Sequence, residues 1–367
     1  MVCSIIPDYL TKKTDPKQVI KAREIRAKRK AMVELRNELG VTHKEVRRLY
    51  DCDFNWWYPT DWVQEDIQTH SHDPSTDAIL ELANKTYDFF HDYAERESWD
   101  NENAIVKVYK NFGYKYNNAF WDGEGLTFGN GDGVYFNEFT ILDVMGHEFA
   151  HAVTDTTSKL EYYGQPGALN EHFSDVAGIC IKQYHNQIME QPINWLIGEG
   201  IFTNAIQGKA LRDMSNPGSA YNDPLIGKDP QPQHMDDYVE TDDDEGGVHI
   251  NSGIPNKAFY QFVTNTKLLS YEKPFMIWYQ TLIQCDKDTD FNEFVSIMFN
   301  KVVKKAPIYK DDIPLQKELL KAWQSVGLAK NITIEEPEEP DKPEEPHKCK
   351  ATKTLKKIKR ILDSYRA

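Results

Sequence analysis

No stretch of this chain approaches the roughly eighteen consecutive apolar residues that a membrane-spanning helix needs, so no span is expected. A basic balance is also missing. The formal net charge is −15, which argues against nucleic acid as the main partner, because neutralising phosphates requires a positive face. Cysteine is scarce: five residues, Cys3, Cys52, Cys180, Cys285 and Cys349, an odd number with no close pair, read as free thiols in a reducing compartment. The opening residues Met1 to Leu10 lack the basic-then-apolar plan of a signal peptide. Cytoplasmic synthesis is therefore expected, with export by a route that uses no cleaved signal left open. At 367 residues the chain can bury one large core or two ordinary ones.

What the chain does have is concentrated in Leu142 to Val153. His147 and His151 are four residues apart, so on a helix both imidazoles project from one face and can reach one metal ion. Glu148, beside the first of them, can reach a metal-bound water without itself coordinating, which is the place of a general base in a zinc hydrolase. Alone, this HExxH pentapeptide is equally readable as a solvated histidine pair. A third ligand decides between the two, and Glu171, separated from His151 by nineteen intervening residues, is the candidate. Two imidazoles and a carboxylate leave the fourth tetrahedral position open, the arrangement of a catalytic rather than a structural zinc. Asp175, one helical turn after Glu171, can accept the free ring N–H of His147 and fix its tautomer. His172 competes for the ligand position, but it points off the Glu171 face.

HExxH, the nineteen-residue gap and then Asn170-Glu171 with Ser174-Asp175 resemble the thermolysin family of zinc metallopeptidases. Asn117 to Gly123 is similar to that family's edge-strand segment, and Gly246 to Gly253 to its catalytic-histidine loop. The resemblance runs from about Tyr50 to about Gly327. It implies an α+β fold of two lobes, a β-rich one at residues 50–154 and a helical one at 155–329, with the zinc helix between them. It further implies that Tyr162 and His249 donate hydrogen bonds to the oxyanion, that Asp244 orients and charges His249, and that Arg212 binds the carbonyl just beyond the scissile bond. Asn118 and Ala119 would line the cleft rim, where an extended peptide adds as a strand. The implied activity is that of an endopeptidase with a metal-activated water, preferring a bulky apolar residue on the amine side of the cut. Phe139, Val144 and Leu211 are apolar candidates near the metal. An inactive relative acting through its binding arms is the rival reading, and retention of every acid, base and ligand of the pattern argues against it.

Many relatives also carry a double calcium site. Here Asp143 and Glu199 remain, but Lys182, Asn194 and Leu196 stand where further ligands belong. An ammonium among ligands repels Ca²⁺, so the double site is expected to be absent, with Lys182 pairing Asp143 or Glu199.

Both ends of the chain differ from the body. Residues 1–49 hold 13 basic and 6 acidic residues, a net +7, which leaves −22 for the remainder. Asp15-Pro16 can start a helix, and Val19, Ile20, Ile25, Met32, Val33 and Leu35 give it an apolar stripe. This segment resembles the short propeptide of the protealysin branch, which implies a removable inhibitor and folding aid; a permanent structural arm is the alternative. The Cys3 thiolate can in principle displace the catalytic water from zinc, though a free cysteine near a terminus is the simpler reading. At the other end, residues 330–347 form an acidic, proline-rich linker, and 348–367 a basic amphipathic tail with Leu355, Ile358, Ile361, Leu362 and Tyr365 on one helical face. Such a tail suits an anionic membrane, an acidic partner, the enzyme's own acidic surface, or no partner at all.

Overall fold

The structure, a computed structural model, describes residues 3–15, 17–18, 46–65, 74–189 and 192–334. The apolar stripe from Val19 to Leu35, the side chain of Cys3, nearly all of the acidic linker and the basic tail lie outside the described residues. Contacts divide the chain into a body, Met1–Ile332, and a terminal unit, Thr333–Ala367.

The body follows the two-lobed α+β plan. Its first lobe is built on a six-stranded sheet of order β1-β5-β6-β4-β2-β3, with β1 Cys3–Ser4, β2 Arg47–Asp51, β3 Gln64–Glu65, β4 Val106–Lys110, β5 Ala119–Trp121 and β6 Leu126–Phe128. The central pairs β2·β4 and β4·β6 are parallel, while β1 joins β5 antiparallel, with Ser4 opposite Phe120. One of the sheet's two edge strands is thus contributed by the N-terminal segment. Alternating aromatic residues bury one face of the sheet: Tyr50, Tyr109, Phe112, Tyr116 and Phe120 form one cluster with Cys52. After the leader helix α1, Asp8–Thr14, comes α2, Pro74–Ala94, which follows the apolar three-and-four spacing of that stretch.

Thr127 to Phe136 reads as two strands about a glycine-rich turn, but only Leu126–Phe128 is a strand, and Phe136 makes a single bridge to Phe202. The cause is Asp132, whose Oδ1 accepts the backbone N–H groups of Val134, Tyr135 and Phe136 at 2.8, 2.8 and 3.1 Å. Donors captured by a side chain are lost to a ladder.

Two long helices form the floor of the cleft: α3, Leu142–Thr156, and α4, Gly164–Ile188. Every residue of α3 from Asp143 to Thr154 is buried. The helices cross closely because glycine faces glycine. A Cβ on Gly178 would stand 2.4 Å from the Asp143 carbonyl, and one on Gly146 would stand 3.1 Å from the Gly178 Cα. This approach carries Glu171 opposite the two histidines. The second lobe is then helical: α5 Asp244–Asn251, α6 Gly253–Thr266, α7 Lys273–Leu282, α8 Phe291–Ile297 and α9 Ile313–Gln324, packed around Phe259, Trp278 and Trp323. Among the described residues no helix is long and apolar enough to cross a membrane.

Candidate metal centre and cleft

His147, His151 and Glu171 each direct one ligand atom to a common point, all within 4.8 Å of one another and all buried. His147 Nδ1 is hydrogen-bonded to Asp175 Oδ1 at 2.9 Å, and His151 Nδ1 to Asn170 Oδ1 at 2.8 Å. Each ring therefore carries its proton on Nδ1 and leaves an Nε2 lone pair. Those two Nε2 atoms lie 3.0 Å apart. Each is 3.3 Å from an oxygen of Glu171, and Glu171 Oε2 is buried with no hydrogen bond from any described residue. Acceptors converging on one another in a buried space repel unless a cation lies between them, and two imidazoles with one carboxylate suit Zn²⁺. The donor set fits the metal.

Around this point stand the groups of a reaction centre. Glu148 Oε2 accepts the backbone N–H of Trp121 at 2.8 Å, while Oε1 is buried and has no hydrogen bond among the described residues. Burial raises its carboxyl above the ordinary range, with the two imidazoles pulling the other way. Tyr162 donates its hydroxyl to Glu171 Oε1, and that hydroxyl lies 3.3 Å from His249 Nε2. His249 is held twice by Asp244, through Nδ1 at 2.7 Å and through its backbone N–H at 2.9 Å. Burial opposes a charge on this ring, but Glu171 and Asp244 outweigh it and raise the histidine to about 9. The double grip depends on a left-handed turn, with φ of 56°, 52°, 79° and 75° at Asp244, Glu245, Gly246 and Gly247. At Gly246 a Cβ would also stand 2.8 Å from the Gly164 nitrogen, so glycine is required there.

Arg212 grips Asp175 through Nε and Nη2 at 2.8 and 2.7 Å. Burial disfavours the Asp175 charge, yet Arg212 and His147 hold that carboxyl well below its usual range. Asn256 donates to the same carboxylate at 2.9 Å and accepts from His172 Nδ1 at 2.7 Å. His172 also receives Trp278 Nε1 at 2.7 Å, and burial lowers it to about 4, so it is a neutral structural histidine directed away from the metal point. Sequence reasoning did not single out Trp121, Asn170 or Asn256. Asn170 stands inside the recognised Asn-Glu pattern, whereas Trp121 acts through a backbone amide, which its residue type does not reveal.

The N-terminal segment lies in the cleft. His249 Nε2 donates to the Ser4 carbonyl at 2.7 Å, and Arg212 Nη1 to the Ile5 carbonyl at 3.2 Å. Ile5 N–H donates to the Ala119 carbonyl at 3.1 Å; Asn118 accepts from Ile6 N–H at 2.9 Å and donates to its carbonyl at 3.3 Å. Farther on, Lys12 pairs with Asp243 at 2.9 Å, Lys13 donates to the Ile226 carbonyl at 2.7 Å, and Gln18 donates to the Lys115 carbonyl at 3.0 Å. The basic leader thus holds both lobes. On the far side of α3, Lys182 Nζ lies 3.2 Å from Asp143, 3.3 Å from Glu199 and 2.9 Å from the Leu196 carbonyl. Phe139, Val144 and Leu211 are all buried.

Two histidines and a glutamate around one point, with a buried carboxylate and a charged histidine beside them, define a zinc hydrolase centre. The chain matches the models of the thermolysin metallopeptidase catalytic domain over residues 27–155 and of the thermolysin metallopeptidase alpha-helical domain over 158–328. It belongs to the thermolysin family of metallopeptidases. An extracellular metalloprotease of Pectobacterium carotovorum subsp. carotovorum is 37% identical over 343 residues, covering 89% of this chain and 96% of that protein. Protease PrtS of Photorhabdus sp. (strain Az29) is 36% identical over 288 residues, covering 77% and 76%. In three dimensions the chain is similar to the precursor of protealysin, a metalloproteinase from Serratia proteamaculans, with a TM-score of 0.75 and 37% identity, covering 89% of this chain and 99% of that one. The protein is a zinc-dependent metalloendopeptidase.

Proposed function

We propose that this enzyme cuts peptide bonds on the amine side of bulky apolar residues, that its leader holds it inactive by lying in the cleft as a substrate would, and that it uses no double calcium site. Bound zinc supplies Lewis acidity, polarising the scissile carbonyl and acidifying a water. Glu148, its carboxyl raised by burial and oriented by the Trp121 amide, takes the water's proton and hands it to the leaving nitrogen. His249, kept charged by Asp244, and the Tyr162 hydroxyl donate to the oxygen on which negative charge grows. Arg212 clamps the next carbonyl, and Asn118 with Ala119 keeps the chain extended.

The observation that carries this reading is the leader's seat: consecutive carbonyls of Ser4 and Ile5 rest on His249 and Arg212. A quenched-peptide series tests it. With leader-free enzyme, substrates bearing Leu, Ile or Phe after the cut should exceed those bearing Asp or Gly in kcat/KM by roughly a hundredfold, and a zinc chelator or Glu148→Gln should abolish all cleavage. Equal rates across the series would remove the specificity. Zinc-loaded wild type with no more activity than Glu148→Gln would instead indicate an inactive binding protein.

A further inference from the structure

From the register of the leader we infer that the zymogen cuts its own Ser4–Ile5 bond. This inference rests on the proposed catalytic reading and goes beyond occlusion of the cleft. A strand lying over an active site can be held one residue out of step, or with its carbonyls turned away, and so survive. Here four independent anchors agree on one step. The Ser4 carbonyl oxygen is 2.7 Å from His249 Nε2, the donor meant for the oxyanion. The Ile5 carbonyl is on Arg212, the clamp for the carbonyl immediately beyond the cut. Ile5 N–H is bonded to the Ala119 carbonyl and Ile6 N–H to Asn118 Oδ1, as the rim requires of an extended peptide. The side chain just after the bond is Ile5, bulky, apolar and fully buried. Position, direction and side chain all make Ser4–Ile5 the scissile bond.

The chemistry closes without any further reagent. A water oxygen bonds to the Ser4 carbonyl carbon, and its first proton passes to Glu148. The Ser4–Ile5 C–N bond then breaks, and both water protons end on the Ile5 nitrogen, leaving a Ser4 carboxylate and an Ile5 ammonium. The two fragments are held unequally. Met1–Ser4 keeps only the short pairing of β1 on β5 and the Ser4 contact to His249 among its described contacts across the cleft. From Ile5 onward the leader retains Arg212, Asn118, Asp243, Ile226 and Lys115. The new ammonium, however, forms at a fully buried residue, where charge is costly. The cut therefore loosens the leader without freeing it, a first step of activation written into the leader's first residues.

Intact-mass measurement and N-terminal sequencing of the zinc-loaded full chain test the inference. The expected result is loss of Met1–Ser4 and a new N-terminus at Ile5, at a rate independent of protein concentration. The product should be missing in Glu148→Gln and in wild type held in a zinc chelator, and slowed roughly tenfold or more in Ile5→Gly. A readout that needs no turnover accompanies it: in zinc-loaded Glu148→Gln, amide hydrogen exchange at Ile5 and Ile6 should be strongly slowed. A chain that keeps Ser4 joined to Ile5, while leader-free enzyme cleaves quenched peptide, overturns the inference and leaves the proposed function standing. Cutting at another leader bond, appearance of the Ile5 terminus in Glu148→Gln, or unprotected Ile5 and Ile6 amides also overturns it. Failure of leader-free enzyme on every peptide is the separate result that defeats the proposed function itself.

Discussion

The helix α3 carries two buried polar clusters one turn apart, and they handle charge in opposite ways. At its start Asp143 is met by an internal cation: Lys182 lies between Asp143 and Glu199, and the Gly198 and Val144 amides also donate to Asp143. One turn on, two imidazole lone pairs and a glutamate face one another, and an oxygen of Glu171 and one of Glu148 have no hydrogen-bond donor among the described residues. The first cluster is complete as a protein structure. The second is complete only with a cation from outside. Acidic residues on neighbouring helices are thus not enough to identify a metal site; what separates the two is whether the chain satisfies its own acceptors.

The sharpest attack on that contrast is Glu148→Gln. It removes the proposed base but leaves the three ligand atoms, so zinc content by atomic absorption should be unchanged while kcat falls by about 10² to 10⁴. A parallel loss of zinc would show that Glu148 helps to hold the metal and that the division of labour drawn here is wrong.

A smaller effect is expected from Asp244→Asn, read through pH. His249 has its pKa raised to about 9, so it is charged below that pH and loses its proton as pH rises through it. The share of catalysis proposed for it should therefore be present at neutral pH and disappear on the alkaline side. Asp244 is one of the two charges that raise it. The asparagine variant should move the alkaline limb of kcat/KM to lower pH and cost tens-fold at neutral pH or above, with a much smaller loss on the acid side. An unmoved limb would assign it to another group.

How much of this was visible in the sequence depended on how local each feature is. Four-residue helical spacing states outright that His147 and His151 share a face, and a second helix returning past the first is enough to bring Glu171 to them. The Gly146–Gly178 contact that permits so close a return involves residues with no chemistry of their own to notice. Strand β1 was illegible for a different reason: two residues carry no alternation, and Cys3–Ser4 is extended only because β5 offers an open edge. Thr127–Phe136 forms no second strand because one carboxylate, Asp132, captures three of its amides, a competition that the glycine-rich pattern does not display. The Trp121 amide that holds Glu148 belongs to the backbone, so its residue type says nothing of it.

The smallest expected effects concern the cluster that needs no metal. Replacing Lys182 by alanine leaves Asp143, 2% exposed, with its two amide donors but no counter-charge. Breaking a fully buried ion pair costs about 3 to 5 kcal/mol; the remaining amides and the exposed flank of Glu199 should bring this nearer to 2 kcal/mol, measurable as a lowered midpoint in urea. Calcium provides the finer test. In wild type the ammonium already fills the space between the carboxylates, so millimolar Ca²⁺ should give no tight binding by calorimetry and no shift of that midpoint. In Lys182→Ala the two acids, with Asn194 beside Glu199, are released to a hard cation. Calcium that stabilises the variant but not the wild type would mean that a lysine stands in for the ion. Calcium that stabilises both would mean that this cluster, like its neighbour one turn away, is a metal site after all.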